Sequence, residues 1–453
     1  MVNTSGLPAG TVTLVSDQAL ADEVQEKAIS AHIAQLIKIP RAYGKNEPAD
    51  RSPWGSKDLD APMSDVVRPK DVQAVPVIDS TAVAWQVSAG DLLLRLGLAL
   101  APGAGGQSPH LSSVHWPLVK YVDFFQEVNG QLCAGPQADR YVQHGRTAIS
   151  DELGVAFSLL AAERWLREAY SLDVIDIVDV EQVLGGVLGS RKVSSVPGAS
   201  RRPDWLILGG RTGASGALKA FALESKGASR GGASSNAHHV KSLASAVEQL
   251  SSMEVDGKVP VGLASLAITG AGPVVVKAVD PGYGSADVHI TPSMIQAMSE
   301  GGLSGNASAL PNEQTGMSLA EVATAISLQS LRNIARISHD ARAQEFLGVH
   351  EPTSGEPERI DTSFGEALGT SARSRDRQGR NFRAFIGVPA SIITPLAEGE
   401  LESAIKARDN VVRSIRRPSS EAGDDPELQG AQKVMEQEFL APNGALMIFE
   451  REG

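Results

Sequence analysis

The stretch RRPDWLILGGRTGASGALKAFALESKG, residues 201–227, holds two apolar runs, WLIL and KAFAL, divided by a glycine-rich break. Pro203-Asp204 introduces the first run and Glu224-Ser225-Lys226 ends the second. Short apolar runs bounded by turn signals read as strands, and the Gly-rich break reads as the turn between them. In a hairpin the start of one strand lies beside the end of the other, so Asp204 is expected close to Glu224 and Lys226. Side chains alternate along a strand, which puts Glu224 and Lys226 on one face and Ser225 on the other. Ala220 and Ala222 share the face of Glu224, and their small size is expected to leave room above the sheet. Three ionisable groups thus converge at one sheet end.

That convergence has a chemical meaning. Two carboxylates held together repel, and one takes up a proton unless a cation intervenes. Mg²⁺ binds through one or two carboxylates together with waters and substrate phosphates. A bound cation of this kind lowers the pKa of water and stabilises charge building on a phosphoryl oxygen. A lysine beside it orients the attacking water or offsets phosphate charge. Asp, Glu-x-Lys and a divalent metal make a minimal kit for phosphodiester hydrolysis.

The flanks place the hairpin in a larger pattern. Residues 150–170 predict a helix, with Ser150 as its cap, Asp151 and Glu152 at the positive end of its dipole, and Val155, Leu159, Leu160, Ala162 and Leu166 on its apolar side. DVIDIVDV, residues 173–180, alternates apolar and acidic residues as a half-buried strand does. Residues 236–253 predict a second helix, capped by Asn236, and residues 259–269 and 273–279 two further strands. The order is helix, strand, strand, strand, helix, strand. Charge marks the same segment: between Arg191 and Lys241 nine basic residues face only Asp204 and Glu224, a local charge of +7 in a chain of net charge −12. The acidic total argues against a general nucleic-acid coat, and the local excess is the exception to it.

The Pro-Asp pair followed by Glu-Ser-Lys, set between these elements, resembles the PD-(D/E)xK nuclease superfamily, the restriction-endonuclease-like fold. The resemblance covers residues 147–280. It implies an α/β core of the order α-β-β-β-α-β, a mixed central sheet flanked by helices. It implies Asp204 and Glu224 as ligands of Mg²⁺ or Mn²⁺ and Lys226 as the group serving the nucleophilic water. Many members add a glutamate from the helix before the sheet, for which Glu152 is the first candidate and Glu163 the reserve. Gln249, on the helix after the motif, is a supporting candidate, although its surroundings lack the fuller Gln-tyrosine motif of some branches. The implied activity is metal-dependent hydrolysis of DNA phosphodiester bonds, in a setting such as restriction or anti-phage defence. DNA is preferred to RNA because the family mostly acts on DNA. Double-strand cleavage from one site per chain favours a homodimer, and a defence setting favours a partner protein of that system. The alternative is a non-catalytic nucleic-acid-binding or assembly protein that keeps the nuclease fold; a metal or small-molecule enzyme without nucleic-acid affinity is a third reading.

The remaining signals bound the picture. Arg201, Arg202, Arg211, Arg230 and Lys241 are candidate phosphate contacts, since Arg and Lys supply most of these. The Arg-rich runs 371–383 and 406–417 read as solvated surface, with phosphate binding as the sharper alternative. His238 and His239 read as polar residues of a first helical turn. GGRTGASG and APGAGGQS lack the Gly-Lys-Ser/Thr ending of a phosphate loop and read as turns. Cys133 is the only cysteine, which excludes a disulfide framework and a cysteine-based zinc site. The N-terminus lacks a signal-peptide pattern, and no stretch is long and apolar enough to span a membrane, so the expected location is cytoplasmic with no membrane partner. With 453 residues the chain exceeds one ordinary core. The expected division is an N-terminal region 1–145 of unread role, the nuclease-like core 146–284, and a mainly helical C-terminal region 285–453.

Overall fold

The computed structural model describes residues 6–43, 72–75, 83–100, 112–180, 193–195, 201–210, 217–229, 235–255, 259–282, 286–289, 331, 357–398, 400–414 and 437–451. They form a mixed α/β structure with a mixed central sheet flanked by helices. The chain enters through β1 (Ala9–Val15), α1 (Gln18–Tyr43), β2 (Val72–Gln73) and β3 (Val83–Ser88), then α2 (Ala89–Leu100) and α3 (Ser112–Tyr121). It continues through β4 (Phe125–Val128), β5 (Gln131–Ala134), α4 (Gln143–Tyr170), β6 (Asp173–Asp179), β7 (Val193–Ser195), β8 (Trp205–Gly210) and β9 (Ala217–Ala228). Next come α5 (Asn236–Leu250), β10 (Met253–Val255), β11 (Gly262–Ile268), β12 (Gly272–Pro273), β13 (Val275–Pro281) and β14 (Ala286–His289).

The hairpin read from residues 201–227 is present: β8 and β9 pair antiparallel, with Trp205 opposite Leu223 and Leu206 opposite Ala222. β6 pairs antiparallel with the outer side of β8, and β11 returns parallel to β9 after the α5 crossover. Period-two alternation sorts the side chains to two faces. Ile207, Phe221 and Leu223 pack with Leu153, Phe157, Trp165 and Leu166 of α4. Leu206, Leu208, Ala220 and Ala222 pack with Leu243, Val247 and Leu250 of α5. Ala220 and Ala222 therefore leave no open room above the sheet; their smallness lets α5 lie close upon it.

The same sheet runs on through β13, antiparallel to β11, to β1, parallel to β13. Residues from either side of position 145 thus share one hydrogen-bonded sheet. Two local expectations are corrected. α4 begins seven residues before Ser150, whose hydroxyl donates to the Thr147 carbonyl inside the helix and caps nothing. Asn236 is the first residue of α5 and not its cap, and its side chain meets Glu23 and Lys277 instead.

Within the expected C-terminal region 285–453, the described residues form more strand than helix. β15 (Glu358–Thr362), β16 (Gly365–Arg375), β17 (Asn381–Pro389), β18 (Gln437–Leu440) and β19 (Leu446–Arg451) form a five-stranded antiparallel sheet in the order β15-β16-β17-β19-β18. α6 (Ala390–Ala397) and α7 (Leu401–Ser414) lie among the described residues that follow β17. β16, GEALGTSARSR, has almost no β-branched or aromatic residue; its nine paired positions against β17 make it a strand, which is tertiary context overriding local preference. Residues 318–347 of that region lie outside the described residues, apart from Leu331. Among the described residues no helix is long and apolar enough to cross a membrane.

Candidate active site

Asp204 precedes the first paired residue of β8, and the register sets it opposite Glu224. The two carboxylates are tied to each other's strands. The Asp204 N–H donates to Glu224 Oε2 at 3.0 Å, and the Ser225 N–H donates to Asp204 Oδ2 at 3.0 Å. The Ser225 hydroxyl donates to the same Oδ2 at 2.5 Å. Lys226 Nζ donates to Glu224 Oε1 and, at 3.0 Å, to Gln249 Oε1 on α5. Gln249 Nε2 in turn donates to the Arg202 carbonyl at 3.0 Å, which links the helix to the approach of β8. Asp204, Glu224, Lys226 and Gln249 are therefore one connected group.

The electrostatics are uneven. The Glu224 side chain is wholly buried. Burial and the neighbouring Asp204 charge push its carboxyl up to about 8, against the pull of Lys226 and the Asp204 N–H. Lys226 keeps part of its side chain open to solvent, so the group can be reached from outside.

A further carboxylate belongs to this neighbourhood: Asp151, on α4. Asp151 is exposed; partial desolvation raises its carboxyl above the usual carboxylate range, Lys226 opposes the rise, and Asp204 and Glu152 add to it. Two glycines put it there. A Cβ on Gly227 would fall 1.8 Å from the Ser150 carbonyl oxygen, and one on Gly154 would fall 2.6 Å from that of Lys226. Helix and strand thus cross backbone to backbone, which carries the turn containing Asp151 over the end of β9. Gly154 within a strong helical pattern and Gly227 directly after Glu-Ser-Lys were the signals for this crossing.

The other candidates fall elsewhere. Glu152 faces α3, where its carboxylate accepts from Lys120 Nζ and from the Tyr121 hydroxyl, each at 2.7 Å. Glu163 is buried against Arg95 of α2 in a two-pronged ion pair of 2.7 and 2.9 Å. Arg201 and Lys241 are exposed, with Arg201 Nη1 3.4 Å from the Ser245 hydroxyl; Arg202 is half-buried. Arg211 and Arg230 lie outside the described residues, as do most of GGRTGASG and all of APGAGGQS. His239 is buried and His238 exposed on the first turn of α5. Within the run 371–383, Arg383 meets Glu358 and Glu450, Arg380 meets Asp376, and Arg377 donates to the Tyr141 hydroxyl at 2.8 Å. In the run 406–417, Arg408 is buried.

Among the described residues no three His, Cys, Asp or Glu side chains are grouped so as to hold a metal ion between them. The adjacent pair Asp204 and Glu224 supplies hard carboxylate oxygens, and Glu224 binds its proton tightly first because it is buried and then because of the Asp204 charge. The carboxylate pair fits a divalent cation that completes its coordination with water and phosphate oxygens. Comparison with known proteins finds no matching family model, no matching curated protein and no matching solved structure.

Proposed function

We propose that the chain is a divalent-metal-dependent nuclease of the PD-(D/E)xK kind, hydrolysing DNA phosphodiester bonds at Asp204, Glu224 and Lys226. The observation that carries this reading is the buried Glu224 carboxylate, set beside a second carboxylate and a lysine at a sheet end. In the central sheet the order α4-β6-β8-β9-α5-β11, with β7 and β10 paired in a separate two-stranded sheet and β11 parallel to β9, supports reading the core as restriction-endonuclease-like.

Asp204 and Glu224 would hold Mg²⁺ or Mn²⁺. When bound, such a cation makes water a better nucleophile and stabilises charge on the phosphate. Lys226 has three N–H donors, of which Glu224 and Gln249 take two. The third is left to donate to a water or a phosphate oxygen at the site. Gln249 fixes where that donor points, because the Arg202 carbonyl holds its own amide. Asp151 takes the place given to Glu152 by sequence, since Glu152 is engaged by Lys120 and Tyr121. Exposed Arg201, three residues before Asp204, and exposed Lys241 on α5 suit contacts to the DNA backbone, which position a duplex without reading its sequence.

The test is cleavage of linear duplex, circular duplex and single-stranded DNA, and of RNA, with Mg²⁺, Mn²⁺ or a chelator. Glu224→Ala and Lys226→Ala are run beside the parent. The expected result is cation-dependent cutting of DNA that falls at least about 100-fold in both variants, the scale on which positioned catalytic groups act. No cutting of any substrate, with nucleic acid still bound equally by all three proteins, would overturn the reading in favour of a binding module.

A further inference from the structure

Ser225 is the variable middle residue of Glu-x-Lys, and strand alternation turns its side chain away from Glu224 and Lys226. It is nonetheless joined to the site. Its hydroxyl and its own N–H both donate to one oxygen, Asp204 Oδ2, at 2.5 and 3.0 Å. No described residue donates to the other oxygen, Oδ1. A carboxylate gripped at one oxygen by two donors has little freedom to rotate, and the side of Asp204 left open is thereby fixed. The residue is buried, 8% exposed, beneath the crossing of α4 over β9, so solvent competes poorly for its hydroxyl.

Ser265 makes the comparison sharp. It is the parallel-register partner of Ser225 on β11, is wholly buried, and its hydroxyl has no hydrogen-bond partner among the described residues. Two neighbouring buried serines thus differ in one respect, the carboxylate that Ser225 holds.

Resting on the nuclease reading above, we propose that Ser225 is a positioning residue: it holds Asp204 Oδ2 and so presents Oδ1 to the divalent cation shared with Glu224. Hydrogen bonds of this kind, one step removed from a metal, orient its ligands and tune their basicity. The middle position of Glu-x-Lys is then part of the site in this chain, through a contact that neither the Asp nor the Glu-x-Lys pattern encodes.

The experiment is Mn²⁺ binding to the full chain without nucleic acid, followed by the electron paramagnetic resonance signal of free Mn²⁺. The proteins are the parent, Ser225→Ala, Ser225→Thr, Ser265→Ala and Asp204→Asn, with thermal unfolding recorded for each. Ser225→Ala is expected to weaken Mn²⁺ binding roughly 10- to 100-fold, while Ser265→Ala, an equal deletion next to it, binds like the parent. Ser225→Thr keeps the hydroxyl and is expected to restore binding, and Asp204→Asn to lose it. If Ser225→Ala binds Mn²⁺ as the parent does while Asp204→Asn does not, the hydroxyl only fills space and the inference falls alone. If the parent itself binds no Mn²⁺, the cation reading falls and takes this inference with it.

Discussion

Glu224 and Asp376 both have side chains wholly hidden from solvent, and both lie beside cations, yet their surroundings drive them in opposite directions. Asp376 sits in the turn from β16 to β17. Its Oδ1 accepts from the N–H groups of Gln378 and Arg380 at 3.0 and 2.9 Å, and its Oδ2 from Arg380 Nε at 2.7 Å. Arg451 stands 3.5 Å away. Burial favours its neutral form, but these donors and two guanidiniums prevail and hold the carboxyl below its usual range. Glu224 has one backbone donor and one lysine, and beside it a second carboxylate; burial and that charge push it up to about 8. A buried carboxylate ringed by donors stabilises a fold. One left facing another carboxylate costs stability and is electrostatically prepared for a positive ligand.

The largest expected effect separates stability from activity at these two positions. Asp376→Ala takes the Asp376 carboxylate from Arg380 and one of two carboxylates from Arg451, and is expected to cost about 3–5 kcal/mol in urea denaturation, the range for a broken buried pair. Cleavage per folded molecule should be unchanged. Glu224→Ala should do the reverse, abolishing cleavage with little loss of stability at a pH near 8. A larger stability loss for Glu224→Ala than for Asp376→Ala would break the contrast.

The next effect is on pH dependence, and the two signs differ. Glu224 binds its proton more tightly folded than unfolded, so its contribution is fully present below its ordinary value of 4.5 and is lost as pH rises toward about 8. Asp376 binds its proton less tightly folded, so its contribution is present above its ordinary value of 3.8 and is lost as pH falls through the depressed one. Denaturation midpoints across this range should therefore decline on the alkaline side in the parent. Glu224→Gln should flatten that decline by a few kcal/mol without touching the acid limb, and Asp376→Asn should flatten only the acid limb. A parent with no alkaline decline would mean that Glu224 is ionised and satisfied.

The same contrast explains what the sequence could carry. Asp204, Glu224 and Lys226 were legible because a hairpin forces the start of one strand against the end of the next, and strand period fixes which residues share a face. Periodicity gave α4, β6, β8, β9, α5 and β11 but not β7 and β10, three-residue strands too short to carry a pattern. Asp151 was missed for its neighbour Glu152 because helix rotation decides between adjacent residues. That rotation is set by the Gly154–Gly227 crossing, a contact between segments far apart in the chain. Asp376 gave no signal, since its partners Arg380 and Arg451 come from a turn and from β19, the last described strand. β16 was hidden for a related reason: an Arg- and Ser-rich strand is recognisable only through its partner β17.

The smallest effect tests that rotation of α4 directly. Glu152 links α4 to α3 through Lys120 and Tyr121, at a half-exposed position where an ion pair and a hydrogen bond contribute about 1 kcal/mol. Glu152→Gln should therefore lower stability by about that amount and leave the cleavage rate and its cation requirement unchanged. Asp151→Asn, at an exposed position, should leave stability nearly unaltered. It should lower cleavage and raise the Mg²⁺ concentration needed, because Asp151 is the α4 carboxylate that feels Asp204 and Lys226 together. If instead Glu152→Gln impairs cleavage and Asp151→Asn does not, α4 turns the other way during catalysis and the backbone crossing does not set which carboxylate serves the site.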